Sequence, residues 1–321
     1  MAYNEPLIGK RERISVVNET SFGTGGTMSN GYIPGYDCKL DPNWNKNWMD
    51  ILTAGADNRY IQNKILGPKA LPFTLSFVPV HWKWLQFLGY SVVDAGSNPY
   101  THTFSISNTI QSFITEWAWR HTTPVVITLT GCFCTGGSIN FQKASGEGSE
   151  GFIKVNLRCF AKTYSIGSST TTLASGDLTR TPFAWKDVLG TLDNNAKTRL
   201  NSGMIDIDNG ITPEESRYCN TTADRDISEP IPGIHKITGR MNLTYYDSTE
   251  VDLWDSDAVI SNCSLDFNEN NTNNKIEIDF ASFRAHQAFS GTDFEGAKKA
   301  DLVFSAQSFS SLISTDSIET Y

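Results

Sequence analysis

The side chains best suited to chemistry in this 321-residue chain are five histidines, six cysteines and a few neighbouring carboxylates. His81, His102, His121, His235 and His286 are scattered, with no H-E-x-x-H and no two at the spacing that would put a metal pair on one helix face. Neither a G-x-S-x-G elbow nor a phosphate-binding P-loop occurs. Cys38, Cys132, Cys134, Cys159, Cys219 and Cys263 form no C-x-x-C. Cys132 and Cys134 would share a strand face, but no histidine lies near enough in sequence to complete a zinc set. A reducing compartment keeps them as thiols, and four lie in or beside strand-like runs, where cysteine packs as a small apolar residue. Gly146, Gly148 and Gly151 have the G-x-G-x-x-G spacing. A dinucleotide site needs a parallel strand before it and a helix after it, and Glu147 and Glu150 would repel a phosphate, so these glycines read as a hairpin tip. Asp206, Asp208, Asn209 and Gly210 are similar to the start of a calcium loop, yet the glycine comes one position early and the twelfth position is Arg217. They read as a solvated acidic loop. Glu214–Glu215 and Asp255–Asp257 read as loop charges, since spacing alone nominates no catalytic pair. No catalytic residue, cofactor site or metal site is nominated, and the chain reads as a non-enzyme. The N-x-S/T sequences at Asn18, Asn220, Asn242, Asn262 and Asn270 matter only in a host that glycosylates the protein.

The elements that would carry such residues are strands. From Ile110 to Lys162 apolar residues alternate with a period of two. Phe113, Thr115, Trp117 and Trp119 fall opposite Ser112, Glu116 and Arg120. Val125, Ile127 and Leu129 share a face, as do Ile139 and Phe141; Ile153, Val155, Leu157 and Cys159 oppose Lys154, Asn156 and Arg158. These predict half-buried antiparallel strands, with residues 143–151 as a flexible hairpin tip. Further strands are expected over 13–17, 71–77, 100–108, 235–247 and 299–309. Val80, Trp84, Phe87 and Leu88 have helical spacing and Gly89 is a plausible stop, so one amphipathic helix is expected over Val80–Tyr90. Short helices are expected near Trp185 and over 248–257. Residues 1–13 read as a polar arm, and 27–70 and 195–230 as long loops.

The fold expected is all-β with one or two short helices, in two related halves, 1–165 and 182–321, joined by a Ser/Thr/Gly-rich linker over 166–181. The relation rests on SINF (138–141) and IKVNL (153–157), echoed by SLDF (264–267) and IEIDF (276–280) across a polar tip. The halves can equally form one composite domain.

Composition narrows the function. The chain is 39% hydrophobic and 19% charged with a net charge of −9, which excludes a general nucleic-acid binder. The N-terminus has no apolar run of secretory type and no segment reaches the ~20 apolar residues of a membrane span, so the chain is expected to stay in the cytosol where it is made.

Four stretches in order resemble the tail tube proteins of tailed phages and related archaeal viruses. They are ETSFGT (19–24); HTFSISNTIQSFITEW (102–117), similar to the family's H-x-F…S-x-x-x-E; TGCFCTGGSINFQKASGEGSEGFIKVNLRCFAK (130–162), ending in F-A-K; and PFAWKDV (182–188) followed by GIHKITGRMNLTYYD (233–247). The resemblance implies a major tail tube subunit located in the virion tail and assembled in the host cytoplasm. It would have a tube-type β-sandwich whose sheets join between subunits into a ring-shaped β-barrel. Three or six copies would make a ring, and stacked rings a tube through which viral DNA passes without specific binding, past a lumen kept acidic to repel it. Partners would be copies of itself, the tape measure, the tail terminator and the baseplate or tip, with no membrane; the arm 1–13 and loop 27–70 would bridge rings. The alternative is a β-sandwich binding module of a virion, a decoration or glycan-binding protein, with Trp44, Trp48, Trp117 and Trp119 stacking on sugars.

Overall fold

The structure, a computed structural model, describes residues 12–24, 27–51, 63–119, 124–144, 151–171, 180–197, 200–213, 229–244, 259–268, 273–287 and 299–321. The strands of the first half are β1 (Glu12–Asn18), β2 (Gly35–Pro42), β3 (Asn45–Ile51), β4 (Asn63–Ala70), β5 (Pro72–Pro79), β6 (Tyr90–Gly96), β7 (Tyr100–Ile106), β8 (Phe113–Trp119), β9 (Val125–Gln142), β10 (Lys154–Phe160) and β11 (Thr163–Gly167). Those of the second are β12 (Val188–Leu192), β13 (Asn195–Lys197), β14 (Leu200–Asp208), β15 (Lys236–Thr244), β16 (Cys263–Asn268), β17 (Lys275–Ala281), β18 (Arg284–Gln287), β19 (Lys299–Ala306) and β20 (Ser308–Asp316). All pairing between them is antiparallel.

Two sheets make the body. The larger runs β18-β19-β15-β14-β9-β10-β5-β2, and the first part of β9 also carries β8, β1 and β11. The smaller runs β13-β12-β16-β17-β20-β7-β6, so both sheets take strands from both halves of the sequence. Their facing sides form one apolar core: Ile139, Phe141, Ile205, Ile237 and Phe304 from the larger, Leu265, Phe267, Ile278 and Leu312 from the smaller. Each such fully buried side chain contributes about 1.5–3 kcal/mol of transfer free energy. The strands do not close into a barrel within the single chain.

Alternation places the faces as expected on β10, where Val155, Leu157 and Cys159 are buried, and on β5, where Phe73, Leu75 and Phe77 are. It fails elsewhere for local reasons. β8 is buried on both faces, Glu116 included, because Arg13 and the N–H and hydroxyl of Thr171 close over the Glu116 carboxylate; Ser112, just before the strand, is buried too. On β9 it is Val126 and Leu129 that are buried, while Val125 is exposed; the pairing with β8 shifts between Phe113 and Thr115, opposite the stretch that contains Gly131.

The helix expected over Val80–Tyr90 is instead a single 3-10 segment, Lys83–Leu88, ended by Gly89 in the left-handed region at φ 83°. Trp84, Leu85, Gln86, Phe87 and Leu88 are all buried, so it has no solvent face and fills the end of the core. Another 3-10 turn, Trp185–Asp187, lies where a short helix was expected; the one expected over 248–257 lies outside the described residues, as do Gly146 and Gly148 of the hairpin tip.

Region 27–70 is not one irregular loop, since β2, β3 and β4 occupy much of it, and β14 likewise occupies part of 195–230. Asp206 and Asp208 therefore sit on a central strand, alternating with buried Ile205 and Ile207. The last expected strand is two, β19 and β20. β20 carries no apolar alternation to mark it, because it turns Ser314 and Asp316 inward beside Leu312.

Candidate assembly surfaces

Glu19 is the point where the motif residues meet. Its carboxylate accepts hydrogen bonds from the N–H groups of Gly131 (2.9 Å) and Gly23 (3.0 Å). Its own N–H donates to Ser112 O at 2.9 Å, and Gln111 Nε2 donates to both Glu19 O and Ser112 O at 2.8 Å. Lys162 N–H donates to the carbonyls of Thr130 and Gly131, and its Nζ lies 5.4 Å from the Phe22 ring centroid. ETSFGT, the S-F-I-T-E-W strand, T-G-C and F-A-K are thus one construction. It fixes Gly131, at φ 65°, where β9 passes from the layer with β8 into the long sheet; a Cβ there would stand 2.7 Å from Lys162 Cβ. A carboxylate accepting two backbone N–H groups in a buried corner is a stabilising arrangement and leaves no lone reactive group.

A second polar cluster lies inside the smaller sheet. His102 Nδ1 is 2.7 Å from Asp94 Oδ1, and its Nε2 is 3.2 Å from Asp316 Oδ1. Tyr321 donates its hydroxyl to Asp316 and its N–H to Asp94 Oδ2 (3.1 Å), and stacks on the His102 ring with centroids 3.7 Å apart. Burial opposes charge on His102, but hydrogen bonds to Asp316 and Asp94 outweigh it and raise the imidazole above its ordinary value. Burial likewise opposes ionisation of Asp316, but His102, Tyr321, Ile318 N–H and Arg180 together hold its carboxyl below the usual range. His102 and Asp316 are both buried, so this trio clasps β6, β7 and β20 rather than facing a substrate. Only the H-x-F motif hinted at it.

The outer faces differ. On the open face of the long sheet charges are paired across strands, Arg158 holding both oxygens of Asp206 (2.6 and 3.3 Å) and Arg240 donating to Asp301, and within β2, where Lys39 lies 3.0 Å from Asp41. A cleft of about 540 Å³ opens there, lined by Asn140, Phe141, Lys154, Met204, Arg240 and Asp301. On the smaller sheet Asp266 lies directly opposite Glu277, with Asp279 two pairs away on the same face, opposite Ser264. Burial, then Glu277 and Asp279, push the Asp266 carboxyl up to about 6.

The remaining features with chemical potential are packed. Cys132, Cys134, Cys159 and Cys263 are buried free thiols, and burial pushes Cys38, the half-buried one, up to about 12. Trp44 stacks on Tyr164 at 5.4 Å; the indole N–H groups of Trp117 and Trp119 point to the Glu12 carboxylate at 3.5 and 3.1 Å. The Trp48 side chain, Cys219, His121, Glu214–Glu215, Asp255–Asp257, Asn220 and Asn270 lie outside the described residues. Among the described residues no group of three or more His, Cys, Asp or Glu could hold a metal ion.

Two strand edges are the other unspent surface. The long sheet ends at β2 on one side and β18 on the other, and among the described residues neither pairs with a second strand. Such edges present a row of free backbone N–H and C=O groups. The sequence profile of the family described as Phage tail tube protein matches residues 9–309, nearly the whole chain. No curated protein matches it.

Proposed function

Because this chain belongs to the phage tail tube protein family, we propose that it is the major tail tube subunit of a tailed virus. It is a structural, non-enzymatic virion component assembled in the host cytoplasm. Copies join into rings of three or six, and the rings stack into a tube that conducts viral DNA during genome delivery. The tape measure, terminator and baseplate or tip proteins contact the tube at its bore and ends.

The observation that carries this reading is the eight-strand run from β18 to β2. It has an apolar face covered by the smaller sheet, an outward face of paired charges, and, at each end, a strand that pairs on one side only among the described residues. Sheet edges of this kind are satisfied by closure, and ring formation between copies closes them. A wall on which arginines are already held by aspartates offers few free cations to phosphates, so DNA gains little by stopping there. Negative-stain electron microscopy of the concentrated protein, with size-exclusion chromatography, tests it. Rings or hollow tubes are expected; a chain that stays monomeric while the virion tube proves to be another protein refutes it.

A further inference from the structure

Two thiols face each other inside the long sheet. Cys134 Sγ on β9 lies 2.9 Å from Cys159 Sγ on β10, and both residues are buried. The other described cysteines are engaged elsewhere: Cys38 donates to Gly35 O at 3.0 Å, Cys132 lies opposite Phe113 of β8, and Cys263 is on the smaller sheet.

Simple alternation would not bring Cys134 and Cys159 together. Along β10 the inward residues Val155 and Leu157 meet Ile139 and Gly137 of β9, two positions at each step, so the partner due for Cys159 is Thr135. The register slips between Arg158, which is opposite Gly136, and Cys159, and Cys134 takes that place. Thr135 is the extra residue of the bulge, partly exposed, with its hydroxyl donating to Arg158 O at 3.2 Å. Asn209 holds the bulge in place. It follows the last residue of β14 and is 2% exposed; its N–H donates to Thr135 O at 2.9 Å and its Nδ2 to Cys134 O at 3.1 Å. Both carbonyls at the irregularity thus have a buried donor, which fixes the register that sets one thiol against the other.

The placement is that of a cross-strand disulfide. Residues directly opposite on antiparallel strands have Cα atoms ~4.5–5.5 Å apart, inside the ~4.4–6.8 Å over which disulfides form. We infer that Cys134 and Cys159 are a redox site, closing into a disulfide by exchange with a low-molecular-weight disulfide such as oxidised glutathione and so stapling β9 to β10. One cysteine thiolate attacks a glutathione sulfur and releases the first glutathione; the second cysteine thiolate attacks the protein sulfur of that mixed disulfide and releases the other. The two protein sulfurs are oxidised, the two glutathione sulfurs are reduced, and the two cysteine protons end on the two glutathione thiols. Burial pushes the Cys159 thiol well up and keeps glutathione out, so the first step waits on local opening of the strand pair. The pair therefore stays reduced in a reducing compartment and closes slowly outside it. This goes beyond the tube reading and does not depend on it.

The purified full chain, incubated folded with oxidised glutathione and in parallel refolded from urea in the same buffer, tests the site. Refolding lets the thiols react before they are buried, so slow access cannot hide an inability to bond. Alkylation should count four free thiols where the reduced chain has six. Digestion with trypsin without reductant should join segment 159–162 to segment 121–143, and chymotrypsin, cutting after Phe133, should place the link on Cys134 and leave Cys132 free. Because the bond joins positions 25 apart, the urea midpoint of the oxidised chain should rise by roughly 1 M and return with reductant. Cys134→Ala should lose both the link and the rise. Refolded chains in which Cys134 and Cys159 end free, or are each capped by glutathione, overturn the inference, as does a link that maps to Cys132. Either result leaves the tube reading intact, because ring or tube formation is not the readout.

Discussion

Replacing Asp266 by Asn removes a charge that the fold holds at a cost. Asp266 sits on β16 directly across from Glu277, with Asp279 nearby, and its carboxyl is pushed up to about 6 from an ordinary 3.8, first by burial and then by those two neighbours. A raised carboxyl is protonated more readily in the folded than in the unfolded chain, so the penalty is absent below about pH 4 and complete above about pH 6. A shift of about two units corresponds to roughly 3 kcal/mol at 1.36 kcal/mol per unit, and discounting by half for solvent screening leaves about 1.5 kcal/mol. Asp266→Asn is therefore expected to stabilise the unassembled protein by ~1–2 kcal/mol at pH 7.5 and by a third of that at pH 4.5. Urea unfolding followed by tryptophan fluorescence at both pH values reads it. An equal gain at both, or a loss at pH 7.5, would refute the reasoning, because only the ionised form meets Glu277 and Asp279 unfavourably. Glu277→Gln should reproduce part of the gain.

Other expectations concern single sites. Glu19→Ala leaves the N–H groups of Gly23 and Gly131 without their acceptor and should cost about 2–4 kcal/mol in chemical denaturation, with Glu19→Gln costing less. His102→Gln should cost ~2–4 kcal/mol near pH 6. Because the folded imidazole is raised, its contribution is present below about pH 6.5 and fades as pH rises, so the difference between variant and parent should narrow by pH 9. Gly239→Ala would set a Cβ 2.2 Å from the Phe304 ring and 2.6 Å from Met204 O, and should destabilise the protein by ~1–3 kcal/mol in urea unfolding. Gly167→Ala, with nothing within 4 Å, should stay within about 0.5 kcal/mol of the parent.

Much of this protein was legible in the residues themselves. Alternation alone marks β5 and β10 and gives the correct inward set, Phe73, Leu75, Phe77, Val155, Leu157 and Cys159, because a strand turns successive side chains to opposite faces. Motif order was enough for the family. Where burial does not alternate, the residues mislead: β8 is covered on both sides, β20 turns Ser314 and Asp316 inward to meet Tyr321, and a buried 3-10 turn has the same spacing of apolar groups as an amphipathic helix. Glu19 in ETSFGT carries no mark of meeting Gly131, which lies 112 positions away. Strand pairing is the largest thing that only the tertiary structure decided. It is made by backbone N–H and C=O groups common to every residue, so no side chain announces that β9 meets β14 while β2 and β18 are left at the edges.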